Sequence, residues 1–307
     1  MKPTCRFCPG ASSLRWMTLF CLAALLTVLI NGCGRSAGFA TPQKPAVVDD
    51  DPAADQVPGE PFRFALGQNL VFDHLPPEAG LSQSVVSDVA QDELGFIWLT
   101  TQDGLNRYDG DQFKIFKNDP RQPNSLSNSF VTFIEIAADG SLWVGTNTRG
   151  LNRYDPETGV FTHYLHDPED DTSLSENSVT ALLIDREGIL WIGTPNSGLN
   201  ALDPAEGRFV RYQHDPNDPT SLSHNTVSTI WQAASGDIWV GTTGGGLNRL
   251  DQETGTFRRY MADPDQKGSL SSNVVSVVYE DRQGMLWAGT TDTGLNLFLP
   301  ETDTFAH

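Results

Sequence analysis

The chain has 307 residues, with 39 acidic against 20 basic side chains and a formal charge of −19. A nucleic-acid partner is not expected from that balance, because counterion release needs a basic face, and direct adhesion to anionic lipid is disfavoured for the same reason. All four cysteines (Cys5, Cys8, Cys21 and Cys33) lie in the first 33 residues, so the remainder offers neither a disulfide framework nor a cysteine metal site.

Residues 1–33 have the three parts of an export signal: Lys2, Arg6 and Arg15, an apolar core from Trp16 to Ile30, and small residues before Cys33. The uncharged run is short for a span of a ~30 Å hydrocarbon core, which favours cleavage over a permanent anchor. Leu29-Ile30-Asn31-Gly32-Cys33 resembles a bacterial lipobox, which implies a lipidated Cys33 at the new N-terminus. Asn31 departs from the usual residue of that motif, and simple cleavage or a retained anchor are the alternatives. Each outcome places the rest of the chain in the periplasm or at the cell surface, touching the membrane through the N-terminal anchor only. Residues 34–61 follow with Pro, Ala and the run Asp49-Asp50-Asp51 but no apolar periodicity, the composition of a disordered linker.

From residue 62 to 307 the chain repeats itself. Trp98, Trp143, Trp191, Trp239 and Trp287 are 45, 48, 48 and 48 residues apart. Self-similarity at that period marks a repeat architecture whose units cannot bury their faces alone. Each unit predicts four short strands. In the third unit the first strand carries Val179, Leu182 and Leu183, the second runs from Ile189 to Thr194, the third from Leu199 to Asp203, and the fourth starts at Phe209. Gly95, Gly140, Gly188, Gly236 and Gly284 recur before the second strand and suggest a turn with positive φ. Apolar residues run continuously, as in sheets covered on both faces, and the helical period is absent. The expected fold is all-β: a β-propeller of about five four-stranded blades near residues 82–118, 128–166, 176–214, 224–262 and 272–307.

The stretch Leu174–Thr194 (LSENSVTALLIDREGILWIGT) and the GLNRYD beginning at Gly150 resemble the two-component regulator propeller repeats. That resemblance covers about residues 72–307. It implies the extracytoplasmic sensor propeller of a hybrid histidine kinase, acting on a downstream signalling domain or kinase, with a homodimer as one arrangement. Phe72-Asp73-His74-Leu75 looks like a fourth strand without a blade in front. Two readings stay open: a closed five-bladed ring, or a fragment of a larger, for example seven-bladed, propeller. The absence of an output module after the fifth unit favours the second.

Positions repeated in every unit are read as structural: the five tryptophans, Asn106, Asn152, Asn200, Asn248 and Asn296, and the hydroxyls of Ser87, Thr132, Thr180, Ser228 and Ser276. Ligand-binding candidates are sought where the units differ, in the loops between second and third strands. These are Gln102 and Asp103, Thr148 and Arg149, Asn196 and Ser197, Gly244 and Gly245, and Asp292 and Thr293. Arg149 is the only basic residue among them and suits a ligand carboxylate or sulfate. Trp231 stands where the other units have Ala90, Glu135, Leu183 and Tyr279, and is either a stacking platform or blade filler. No hydrolase elbow, phosphate loop or metal-ligand spacing appears, so no cofactor, metal or catalytic residue is assigned. The expected role is ligand sensing, with an oligosaccharide or other small molecule as ligand. The alternatives are a secreted propeller enzyme of lyase or glycosidase type and a passive interaction scaffold.

Overall fold

The computed structural model describes residues 80–307; the leader with Cys33, the linker and Phe72–Leu75 lie outside the described residues. Twenty strands form five antiparallel sheets of four, each in simple chain order. The first sheet is β1 (Val86–Gln91), β2 (Ile97–Thr101), β3 (Gly104–Tyr108) and β4 (Phe113–Phe116). The second is β5 (Val131–Ile136), β6 (Leu142–Thr146), β7 (Leu151–Asp155) and β8 (Val160–Tyr164). The third is β9 (Ala181–Ile184), β10 (Leu190–Gly193), β11 (Leu199–Asp203) and β12 (Arg208–Tyr212). The fourth is β13 (Val227–Gln232), β14 (Ile238–Thr242), β15 (Gly246–Asp251) and β16 (Thr256–Tyr260). The fifth is β17 (Val275–Glu280), β18 (Leu286–Thr290), β19 (Gly294–Leu299) and β20 (Thr304–Ala306). These are the blades of a β-propeller, and the recurrent turn glycines have φ between 77° and 96°.

One local feature differs from the expectation. In β1, β5, β13 and β17 the register shifts between the leading valine and the third residue, a bulge that the alternation of side chains does not reveal. In the third sheet the ladder begins only at Ala181, leaving Val179 ahead of β9, where its N–H donates to the Thr146 carbonyl of the second sheet at 3.1 Å.

From the second blade on, each leading valine points at the preceding blade. Val131, Val179, Val227 and Val275 are at most 1% exposed. Space for three of them comes from a glycine on the facing sheet: a Cβ on Gly145, Gly193 or Gly241 would lie 2.7, 2.6 or 2.8 Å from the valine Cγ1. Across the same joints Thr132, Thr180 and Ser228 donate hydroxyl hydrogen bonds to the carbonyls of Val179, Val227 and Val275 at 3.1, 2.6 and 2.5 Å. Trp98, Trp143, Trp191 and Trp239 each pack against the following sheet, as Trp191 does against Ile230, Ile238 and Phe257. Truncating an aromatic buried in this way costs about 3–5 kcal/mol.

The packing is open at both ends. Val86 and Val89 of β1 are 37% and 56% exposed, whereas Val275 and Val278, their counterparts in the fifth sheet, are buried. On the fifth sheet Leu295 is 62% exposed, against 0% for Leu105, Leu151, Leu199 and Leu247. Among the described residues the first and fifth blades therefore do not cover one another, and the closed five-bladed ring is not what they form.

Candidate functional site

Each loop between second and third strands is built on one threonine. The Oγ1 atoms of Thr101, Thr146, Thr194, Thr242 and Thr290 donate to the carbonyls of Gly104, Gly150, Gly198, Gly246 and Gly294 at 2.8–3.0 Å. The same hydroxyls accept N–H bonds from Asp103, Arg149, Ser197, Gly245 and Thr293 at 3.1–3.3 Å. Holding the loop backbone this way leaves the side chains at its tip free to vary.

The loops are also tied to the segments that enter the blades. Asn152 Oδ1 accepts the Ser127 N–H at 2.9 Å while its Nδ2 donates to the Val144 carbonyl, and Asn106, Asn200, Asn248 and Asn296 make the matching pair of bonds to main chain. Gly150 and Gly198 donate to the carbonyls of Asn177 and Asn225, on the way into the next blade. From the second blade to the fifth the loop face is thus one hydrogen-bonded rim.

On this rim the variable loops of the first four blades meet a variable residue that follows the recurrent Leu-Ser of the entering segment, and that of the fifth meets the serine of the Leu-Ser itself. Asn128 Nδ2 donates to Thr148 Oγ1 at 2.9 Å, and Asn196 donates twice to the Glu176 carboxylate at 3.0 Å. Ser271 and Thr293 share a hydroxyl bond of 2.6 Å, Gln83 and Gln102 a weak contact at 3.5 Å, and the His224 ring lies under Gly244. Asp103 pairs with Lys117 at 2.6 Å. Sequence reasoning missed Gln83, Asn128, Glu176, His224 and Lys117; for the first four the usable signal was variation immediately after an otherwise repeated Leu-Ser.

Gln102, Thr148, Arg149, Asn196, Asp292 and Thr293 are exposed, with Asp103 and Ser197 less so. Among the described residues the Arg149 guanidinium has no acidic partner, while Lys117 is neutralised by Asp103. Thr293 lies beside a cleft of about 600 Å³ formed with residues Ala262–Ser271 and His307. Trp231 is not brought to this rim. It sits near the far end of β13, half-buried between the fourth and fifth blades, 5.3 Å from the Tyr279 ring, and its buried Nε1 hydrogen finds no acceptor among the described residues. A cleft of about 700 Å³ on the opposite face is lined by Glu187, Asp237, Arg249, Asp251, Glu253 and Arg258, and the sequence singled out none of them.

The acidic inter-blade segments serve turns. Asp170 and Asp218 accept from the hydroxyl and N–H of Thr172 and Thr220, bonds that hold both carboxyls below the usual range. His166 and His214 place Nδ1 2.8 Å from the Leu174 and Leu222 carbonyls, which requires a proton on that nitrogen and assigns both rings to structure. One carboxyl departs in the other direction: burial, with the nearby Asp88 charge, raises Glu135 of β5 to about 7.

Three segments, residues 125–148, 173–196 and 269–292, match the family model for the two component regulator propeller. Each runs from the serine ahead of the recurrent Leu-Ser into the variable loop. Over 63 residues, 20% of this chain, it is 48% identical to histidine kinase P4 of Formosa agariphila, and covers 5% of that protein. Among solved structures, it resembles the extracellular domain of a B. thetaiotaomicron protein described as a hybrid two component system. That likeness has a TM-score of 0.67 and 31% identity, over 76% of this chain and 31% of the other. A second B. thetaiotaomicron extracellular domain, from a protein described as a one component system, gives a TM-score of 0.57 at 21% identity over 72% of this chain and 30% of its own, a likeness of fold. The chain thus spans less than a third of each protein it is compared with.

Proposed function

From a chain that carries repeats of the two-component regulator propeller family, we propose an extracytoplasmic ligand-sensing propeller that works, without catalysis of its own, on the input side of a two-component receptor. The observation that carries this reading is the 31% identity to the extracellular domain of a protein described as a hybrid two component system. The loop rim supports it, since a rigid repeated frame presents side chains that differ from blade to blade. Export through the N-terminal leader, with a lipid on Cys33 as the anchor, belongs to the same proposal.

The ligand sits on the loop rim, with the Arg149 guanidinium on a carboxylate or sulfate and the adjacent Thr148 side chain beside it. An acidic oligosaccharide has that chemistry. Signalling follows if the bound state packs differently against a kinase-bearing partner or second protomer than the free state does. Neutral, uronate-containing and sulfated oligosaccharides screened against the full chain should show a raised melting temperature for an acidic member, without turnover. At a hundredfold excess over Kd the stabilisation is about 2.7 kcal/mol. Arg149→Ala should abolish that shift and leave the unliganded melting temperature unchanged. Turnover of any member, or a shift that survives Arg149→Ala, contradicts the reading.

A further inference from the structure

Arg249 of β15 pairs across the sheet with the repeat tryptophan Trp239, and its place recurs in the other blades. The counterparts are Arg107, Arg153, Ala201 and Leu297. Arg153 is clamped, its guanidinium donating to Asp139 at 2.6 Å and to Ser141 at 3.2 Å. Arg107 lies over the Phe96 ring, 4.3 Å from its centre. In the fourth blade the two clamping residues are exchanged, with Ser235 in the place of Asp139 and Asp237 in that of Ser141. Ser235 donates to Asp237 at 2.8 Å, and neither bonds the arginine. Among the described residues the Arg249 guanidinium has no hydrogen-bond acceptor and no ion pair, only the Trp239 ring at 5.7 Å.

This unpaired cation lines the cleft of about 700 Å³ on the face opposite the loop rim. Clefts that take small ligands hold ~300–1,000 Å³, so the size suits one. Two of its other charged groups are already engaged. Arg258 pairs with Asp303, and Asp251 accepts the N–H groups of Thr254 and Glu253, which hold its carboxyl below the usual range. Three carboxylates keep free oxygens among the described residues. Asp237 uses one oxygen on Ser235, Glu187 uses one on the Gln232 amide at 3.2 Å, and the Glu253 side chain has no partner.

The cleft therefore presents one guanidinium and several carboxylates that do not satisfy each other. An anion on Arg249 would be repelled by the carboxylates, and a cation on the carboxylates would be repelled by Arg249. A ligand that carries both charges, held apart by a short backbone, answers both sets with charge-assisted hydrogen bonds. We infer that this cleft binds a short peptide with free termini, its carboxylate on Arg249 and its ammonium on Asp237, Glu187 or Glu253. The site stands on other residues and another face than Arg149, so it does not rest on the oligosaccharide reading.

The test is isothermal titration calorimetry of the full chain with dialanine and trialanine, at low ionic strength, where charges are least screened. At least one of the two should bind. Acetylating its amino group or amidating its carboxylate should each weaken binding by about tenfold or more, the worth of one charge-assisted bond. Arg249→Ala should abolish the heat and Asp237→Asn should weaken it, while Arg149→Ala should leave it unchanged. The blocked peptides are read on wild type, so they decide the matter even if Arg249→Ala, which bares Trp239, unfolds. No heat from either free peptide, equal binding of the blocked forms, or binding that survives Arg249→Ala overturns the inference.

Discussion

Glu135 occupies the β5 position where other blades have Ala90, Leu183, Trp231 and Tyr279, so a carboxyl stands at a place otherwise given to apolar or aromatic packing. Burial and the Asp88 charge raise it to about 7, and Asp88 is itself raised by burial although the N–H groups of Ile134 and Val89 partly offset this. A carboxyl with a higher pKa folded than unfolded favours the folded state at low pH, and that contribution is lost as pH rises through the folded value. Stability should therefore fall between about pH 5 and pH 8. Asp170, Asp218 and Asp281 are held below the usual range, so their contribution disappears only at acid pH. Urea unfolding followed by tryptophan fluorescence should show Glu135→Gln more stable than wild type at pH 8, by on the order of 2 kcal/mol, with the gap shrinking towards pH 5. An equal pH slope in both proteins would show that Glu135 is solvated.

At the level of the blade, the joint is a glycine against a valine, and this can be tested by exchanging volume. A Cβ on Gly193 would lie 2.6 Å from Val227 Cγ1, so Gly193→Ala should cost about 1–3 kcal/mol through overpacking. Val227→Ala leaves a cavity, but in the double variant the two errors should partly cancel, with a coupling of at least about 0.5 kcal/mol in a double-mutant cycle of urea midpoints. Additive losses would mean that Ala181, whose Cβ lies 3.0 Å from the added methyl, sets the limit instead. This joint also divides what was legible in the sequence from what was not. The strands, the turn glycines and the buried tryptophans show in the period because each copy repeats its local neighbours. The bulge behind Val227 does not, since it is defined by pairing with β14 and not by the order of side chains. The rim was legible for Arg149 and its loop, but Glu176 binding Asn196 or Lys117 binding Asp103 required knowing which segments enter beside which loop.

For the molecule as a whole, an open row of blades implies a stability that varies along the chain. The three inner blades are held by a neighbour on each side and the outer two by one, and nearest-neighbour terms dominate the stability of such repeats. The first blade keeps the stacking of Trp98 with Phe116 at 5.6 Å, but its β1 valines face solvent. The fifth keeps Phe298 and Phe305 against Tyr260, while Leu295 is bare. Opening free energies should therefore be lowest at both ends and highest in the middle. Hydrogen exchange read by mass spectrometry on a dilute sample should show the amides of β1 and β17 exchanging before those of β9 and β13, although all four are the first strands of equivalent blades. Protection that is uniform along the chain would mean that the arc unfolds as one cooperative unit, with the inter-blade joints stronger than the blades they connect.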